Sequence, residues 1–382
     1  LNTVPGNATR NVDVIDITGT GNNALTLSPG AALANGANPL TVLRDNGDVV
    51  TVGAGWTKSA NALFSGGRFF EVYTFGSQVL RVQSANLAVS GSTAFAMGTN
   101  GNDTVIFDAQ TRVLTINDVS YALPGSVTFV SFDAKLGNDQ LTILGTAGND
   151  RAVFSPTSVN FEYDPAHAGF DFTGANFEKF IFDGRGQAGG AGDAVVLNGG
   201  AGDDVFTVNP FTATLVGPGV NYTIFGAEQI TATAGPGGFD RAFMFDSAGN
   251  DTFSASPTVA NMSGPGYFNQ ALGFDRVTAE ARNGGTDTAF LLDSAGDDVF
   301  NASTATNVAT LAGSGFFNTA VAFRVVAAQA VTPNGGNDTA FLLDSSGNET
   351  LVSRPNFSFL QRSGGPMHQA EGFEFVSAKA ST

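Results

Sequence analysis

The sequence contains no cysteine, two histidines, one tryptophan and four methionines in 382 residues. Without cysteine there are no disulfides and no thiolate metal sites. The two histidines, His167 and His368, fall in different copies of the repeat described below, so sequence neighbours supply no histidine cluster for metal binding or proton transfer. Charge is scarce too: charged residues make up 13% of the chain, and the helix formers Lys, Glu and Arg are few, which argues against helices. No run of about 18 apolar residues is present, so no membrane-spanning helix is expected. No charged-then-apolar leader precedes the chain, and a start at Leu1 rather than Met predicts a processed form or one piece of a larger protein.

What charge there is leans one way. Subtracting 17 basic from 34 acidic residues leaves a net charge of −17, which argues against nucleic acid and anionic membranes as partners and permits cations. Glycine (49) and phenylalanine (34) are abundant, and a hydrophobic content of 42% is enough to fill a core. The glycines therefore read as turn residues rather than as a signature of disorder.

Residues 1–95 have a character of their own. Apolar runs at Val12–Ile17, Ala24–Leu27, Leu40–Leu43, Val49–Val52, Phe69–Tyr73 and Val79–Val82 alternate with turn residues. Asp45-Asn46-Gly47-Asp48 between two runs predicts a hairpin, because Asn-Gly tolerates the positive φ of a type I′ turn, and Gly66-Gly67 predicts another. This region is expected to be a small antiparallel β domain ending in the Gly- and Ser-rich stretch 90–100.

Residues 96–382 repeat. Gly238-Phe239-Asp240-Arg241-Ala242-Phe243-Met244-Phe245-Asp246-Ser247-Ala248-Gly249-Asn250-Asp251 returns as Gly285 to Asp298 and again as Gly336 to Glu349, each copy carrying two Gly-x-Asp/Glu marks 11 residues apart. Stepping through Gly101, Gly148, Gly202, Gly249, Gly296 and Gly347 gives intervals of 47, 54, 47, 47 and 51, or five units and part of a sixth. A second landmark precedes each doublet, as in Phe177-Glu178, Phe274-Asp275, Phe323-Arg324 and Phe373-Glu374. A unit this short buries its apolar positions only against its neighbours, so the periodicity predicts an all-β chain in which the N-terminal domain is followed by a parallel β-solenoid, or β-helix, of about five and a half repeats. An antiparallel repeat array is the alternative. Runs such as Ala289–Leu292, apolar at successive positions, predict strands covered on both faces. In register, Phe243, Phe290 and Phe341 would form one ladder, and Phe245, Leu292 and Leu343 a second.

Two resemblances sharpen this picture. The segments Val12–Leu27, Leu40–Trp56 and Phe70–Val82 resemble a module of giant bacterial surface and adhesin-like proteins, which implies a multidomain, secreted or cell-surface setting. The C-terminal repeats resemble RTX, hemolysin-type calcium-binding repeats. Gly199-Gly200-Ala201-Gly202-Asp203-Asp204-Val205-Phe206-Thr207 matches their nonapeptide in full, and the resemblance implies Ca²⁺ held by Asp204, with Asp203 and Asp193 as neighbours and with the turn's backbone at Gly200 and Gly202 as part of the metal site. The preceding copy, Gly189 to Ala194, has Ala194 in the ligand position and starts 10 rather than 9 residues earlier. The competing reading is that Asp and Asn simply cap turns by accepting backbone amides, a role equally open to Asp103, Asp139, Asp150, Asp251, Asp298 and Asp338.

Functionally, this pattern predicts a non-enzymatic extracellular structural protein, a filament, matrix or surface subunit that self-assembles through the solenoid ends and the Leu1–Val12 tail. A glycan-binding adhesin is the alternative, with Tyr267, Phe268, Phe316 and Phe317 either as sugar platforms or as core residues. A polysaccharide-active enzyme needs a carboxylate cluster where the repeat breaks, and Glu162-Tyr163-Asp164-Pro165-Ala166-His167 is the best such break.

Overall fold

A computed structural model describes residues 12–29, 39–45, 47–163, 170–185, 192–330 and 335–380. All regular structure among them is β. The chain divides into two compact units, Leu1–Thr146 with Asn160–Phe177, and Ala147–Val159 with Glu178–Thr382.

In the first unit Val14–Asp16, Leu40–Leu43 and the start of Gln78–Ser90 pair in parallel, and Ala24–Leu27 pairs in parallel with Val49–Val52. Ile17, Leu25, Leu27, Leu40, Val42, Leu80 and Val82 are buried together, with Trp56 and Tyr73 packed against them. The hairpin expected around Gly47 is therefore not formed: the flanking strands pair with other partners, and the turn carries the chain from one sheet to the other. Asp48 holds it by accepting the amides of Asn23 (2.7 Å) and Asp45 (3.1 Å). Asn46 lies outside the described residues. Gly66-Gly67 does close a hairpin, between Leu63–Ser65 and Arg68–Phe75. Thr93–Met97, Phe129–Asp133 and Asp171–Ala175 then pair in parallel, while Thr104–Asp108, Val113–Ile116 and Val119–Ala122 form an antiparallel meander.

The second unit is a two-sheet parallel solenoid interrupted at regular intervals by three-stranded antiparallel meanders. These span 205–225, 252–272, 299–321 and 349–371, and in the first of them Val205–Asn209, Thr212–Gly217 and Val220–Phe225 pair in turn. Two single strands follow each of the first three, for example Gln229–Thr233 and Arg241–Phe245. One sequence repeat thus holds five strands. Because single strands alternate between the two sheets and a meander keeps to one, this odd count places successive meanders on opposite sheets: Val205–Asn209 pairs with Arg241–Phe245, whereas Thr252–Ala255 pairs with Thr288–Leu292.

Side chains alternate in and out along most of the solenoid strands, with exceptions at Val325–Gln329, Glu349–Arg354 and Phe375–Lys379. Ala242 and Met244, Ala289 and Leu291, and Ala340 and Leu342 face the core, while Phe290 between them is 38% exposed. The apolar run is thus a strand with one buried face, not one covered on both. The expected Phe243–Phe290–Phe341 ladder is absent for the same reason that the meanders alternate: Phe243 sits between Thr207 and Thr278 on one sheet and Phe290 between Ser254 and Ala327 on the other. Phe245, Leu292 and Leu343 are divided between the sheets in the same way.

The second landmark forms a corner. Gly226, Gly273, Ala322 and Gly372 take left-handed backbone angles (φ 69°, 74°, 67° and 82°), turning the chain so that the next residue points inward. Phe274, Phe323 and Phe373 are buried there and meet Phe206, Phe253 and Phe300 at ring separations of 5.9, 5.9 and 6.0 Å. Each such ring contributes roughly 1.5–3 kcal/mol by burial, so the repeat is held together from unit to unit by one recurring aromatic pair.

Candidate metal centre

The Gly-x-Asp marks are corners, and their partners lie a full coil away rather than 11 residues away. Asp204 donates its amide to Asp240 Oδ1 (2.7 Å), Asp251 to Asp287 Oδ1 (2.8 Å), Asp298 to Asp338 Oδ1 (2.8 Å) and Asp150 to Asp193 Oδ1 (2.8 Å); in the first unit Asp103 donates to Asp139 Oδ1 (2.7 Å). A second step continues the ladder into the landmark acid, from Asp193 to Glu228, Asp240 to Asp275 and Asp338 to Glu374. The middle residue of the mark does the same on the outside: Asn102, Asp203, Asn250 and Asp297 accept the amides of Asn138, Phe239, Thr286 and Asn337. Asn and Asp interchange there because each offers one side-chain acceptor.

Asp204, Asp203 and Asp193 do not converge. Asp193 belongs to the Asp150–Asp193–Glu228 ladder and Asp204 to the Asp204–Asp240–Asp275 ladder; each precedes a strand of a different sheet, so the two stand at opposite flanks. Asp203 is engaged with the Phe239 amide at 2.8 Å. Gly202 takes φ 102° and turns the corner, and a Cβ at Gly200 would fall on the Pro218 carbonyl, so both glycines have a steric role.

Carboxylates converge instead one and two units further on. Oxygens of Asp246, Asp251 and Asp287 lie within 4.8 Å of one another, as do those of Asp293, Asp298 and Asp338, and all six residues are buried. Asp246 is oriented by Asn283, whose amide and Nδ2 both donate to it at 2.9 Å. Asp251 accepts from the Ser247 amide (3.0 Å) and hydroxyl, and from the hydroxyl of Tyr267 (2.8 Å). Asp298 accepts from the Ser294 amide and hydroxyl at 2.8 Å, but its Oδ1 is buried without a hydrogen-bond partner. Both carboxylates fit beside a glycine, since a Cβ on Gly264 or Gly313 would overlap Asp251 Oδ1 or Asp298 Oδ1.

The full nonapeptide lacks this arrangement for one reason: Gly199 stands where Asp246 and Asp293 stand. A Cβ at Gly199 would already fall on Asp204 Oδ2. The match to the repeat consensus and the presence of a third carboxylate therefore exclude one another, and the sequence signal for the real cluster is the Asp-Ser-Ala-Gly run at 246–249 and 293–296.

Burial raises the carboxyl groups of Asp204, Asp240, Asp287 and Asp338 above their usual range, and neighbouring acids add to the shift. Asp193 is pushed up to about 7, chiefly by burial, with Asp150 and Glu228 contributing. Three acids brought this close are stable when a cation or a proton offsets their repulsion. The donors are all hard oxygens, and the described histidine, His368, is buried in the core away from them, which suits a hard divalent cation rather than a soft one.

Of the proposed aromatic platform, Tyr267 and Phe316 are core residues, while Phe268 and Phe317 point outward from opposite sheets. The Asp164–His167 stretch lies outside the described residues. No protein-family model matches the chain, and no curated protein matches it either.

Proposed function

We propose that this chain is a non-enzymatic structural solenoid of a secreted or cell-surface protein, and that its two carboxylate triplets hold Ca²⁺. The observation that carries this reading is recurrence: the triplet returns with the repeat, at the equivalent corner of two successive units and so on opposite flanks of the solenoid, each time within the hydrogen-bonded ladder that joins one coil to the next. An ion placed there crosslinks coils, which is a stiffening role; a catalytic centre on a repeat scaffold would be a departure from the repeat. Calcium is preferred because it accepts many oxygen ligands in irregular geometry. Self-assembly belongs to the same reading. Among the described residues Glu349–Arg354 and Phe375–Lys379 each pair along one edge only, leaving exposed backbone edges with Leu351 and Phe375, which would receive a further solenoid coil from a second copy or from more of the same chain.

Calorimetry of the full chain in chelator and in millimolar Ca²⁺ tests the ion: a higher melting temperature with Ca²⁺ is expected, and identical melts would leave the acids as turn caps alone. Electron microscopy at high protein concentration tests assembly, with dispersed monomers as the outcome against it.

A further inference from the structure

One corner of the solenoid breaks the repeat twice, and both breaks line the same groove. At the residue after the landmark position the other copies carry an acid, Glu178, Glu228, Asp275 or Glu374; here it is Arg324. Two residues earlier, Gly226, Gly273 and Gly372 supply the left-handed backbone at no steric cost and Asn176 (φ 62°) is of a type that tolerates it, whereas Ala322, with neither advantage, adopts φ 67°. A non-glycine residue held in that region costs of order 1 kcal/mol, and such strain concentrates at functional sites.

The groove beside these residues has a volume of about 350 Å³ and is walled by Arg282, Asp287, Asn307, Ala322, Arg324 and Gly365, together with the Gly284-Gly285 turn. That volume falls at the small end of natural ligand sites. The Arg324 guanidinium is fixed by donating to the Gly365 carbonyl. Asn307, also at positive φ (50°), has an Oδ1 with no hydrogen-bond partner. The walls thus offer donors from two guanidiniums and acceptors from a carboxylate and an amide.

Charge narrows the ligand class. Arg282 is already paired with Glu280 at 3.0 Å, Asp287 faces the groove, and the chain as a whole carries −17, so a polyanion is repelled at long range and met by a carboxylate at short range. A polycation finds two arginines. A neutral ligand rich in hydroxyl groups satisfies both kinds of wall, because each hydroxyl donates once and accepts twice. We infer that this groove binds a sugar residue of a neutral glycan, with Arg324 donating to its hydroxyl oxygens and Asp287 accepting from them. The groove shares Asp287 with the first carboxylate triplet, whereas Arg324 and Asn307, the residues varied below, lie outside it, so loss of sugar binding in their variants leaves the calcium proposal standing.

The test is saturation-transfer NMR, with titration calorimetry, of the full chain against maltotriose, cellotriose, chitotriose and mannotriose, and against trigalacturonate as an acidic probe. Weak, millimolar binding of at least one neutral trisaccharide is expected, reduced about fivefold or more in Arg324→Gln and in Asn307→Gly, each of which removes hydrogen-bonding groups. Asn307→Gly keeps the left-handed backbone, so it reports binding even if Arg324→Gln weakens the fold. No uptake of any neutral probe, a preference for trigalacturonate, or binding unchanged in both variants overturns the inference.

Discussion

Tyr267 donates its hydroxyl to Asp251 Oδ1 at 2.8 Å, and one unit later Phe316 occupies the same place beside Asp298, whose Oδ1 is left without a partner. The ring carbons sit alike in both copies, each about as close to the adjoining glycine. A single oxygen atom therefore separates a satisfied corner from an unsatisfied one. Phe316→Tyr is expected to stabilise the chain by about 1 kcal/mol in metal-free buffer, and Tyr267→Phe to destabilise it by roughly 1–3 kcal/mol. Urea unfolding of both variants measures this, and a Phe316→Tyr protein less stable than its parent would contradict it.

The glycines beside these carboxylates make a sharper demand. Gly313→Ala drives a methyl group into Asp298 Oδ1 and is expected to cost about 3 kcal/mol or more, in the range of severe core overpacking. Gly296→Ala, whose Cβ would meet nothing nearer than Ser294 Oγ at 3.6 Å, is expected to be nearly neutral. Equal melting temperatures for the two variants would show that the corner yields to the added group.

The ion proposal separates the triplets from the nonapeptide. Asp293→Asn and Asp246→Asn should each diminish the Ca²⁺-induced rise in melting temperature, because each removes one of three converging charges. Asp203→Asn, at the exposed turn, should not. At a free Ca²⁺ of about 100 times the dissociation constant, one site adds about 2.7 kcal/mol, so the loss is measurable by calorimetry.

Acid should weaken the solenoid through His368. Burial pulls its pKa from 6.5 down to about 4, and neither ring nitrogen has a hydrogen-bond partner. The unfolded chain binds this proton first, so the contribution of the neutral imidazole is intact above pH 6.5 and falls away towards pH 4, by up to about 3 kcal/mol. Asp193 acts in the opposite sense. Its folded pKa of about 7 exceeds 3.8, so its protonated form favours folding at low pH and that contribution is lost as pH rises through 7. His368→Asn should flatten the acid limb: Asn269 and Asn318, inward-facing at the matching strand position, donate to carbonyls of Asn209 and Ser256 at 2.9 Å. Stability profiles of wild type, His368→Asn and Asp193→Asn between pH 4 and 8 resolve the two slopes.

The repeat and the all-β solenoid were legible from composition and spacing, because similar segments recurring every 47 to 54 residues bury their apolar positions only by stacking. What spacing could not convey is which sheet a copy faces. Phe243 and Phe290 match in sequence and stand on opposite sheets, since periodicity counts copies and not half-turns. The inward face was hidden for a related reason: in Thr-Ala-Phe-Leu-Leu the outward position is itself a phenylalanine, so the period of two is masked. The unvarying small residue at Ala242, Ala289 and Ala340 marks the core, since all three are buried. At the candidate site, a consensus match drew attention to Asp204, but a motif scores residues one segment at a time. The triplet is assembled from corners a coil apart, and Asp287 and Asp338 enter it from 36 and 40 residues downstream of Asp251 and Asp298.

The five-strand repeat also constrains how such a chain can change length. Removing or adding one copy would send every later strand to the opposite sheet, so that any surface beyond the junction would look out on the other side. Changes by pairs of copies leave all downstream surfaces where they were. A lineage that relies on one outward face would therefore grow and shrink in steps of two.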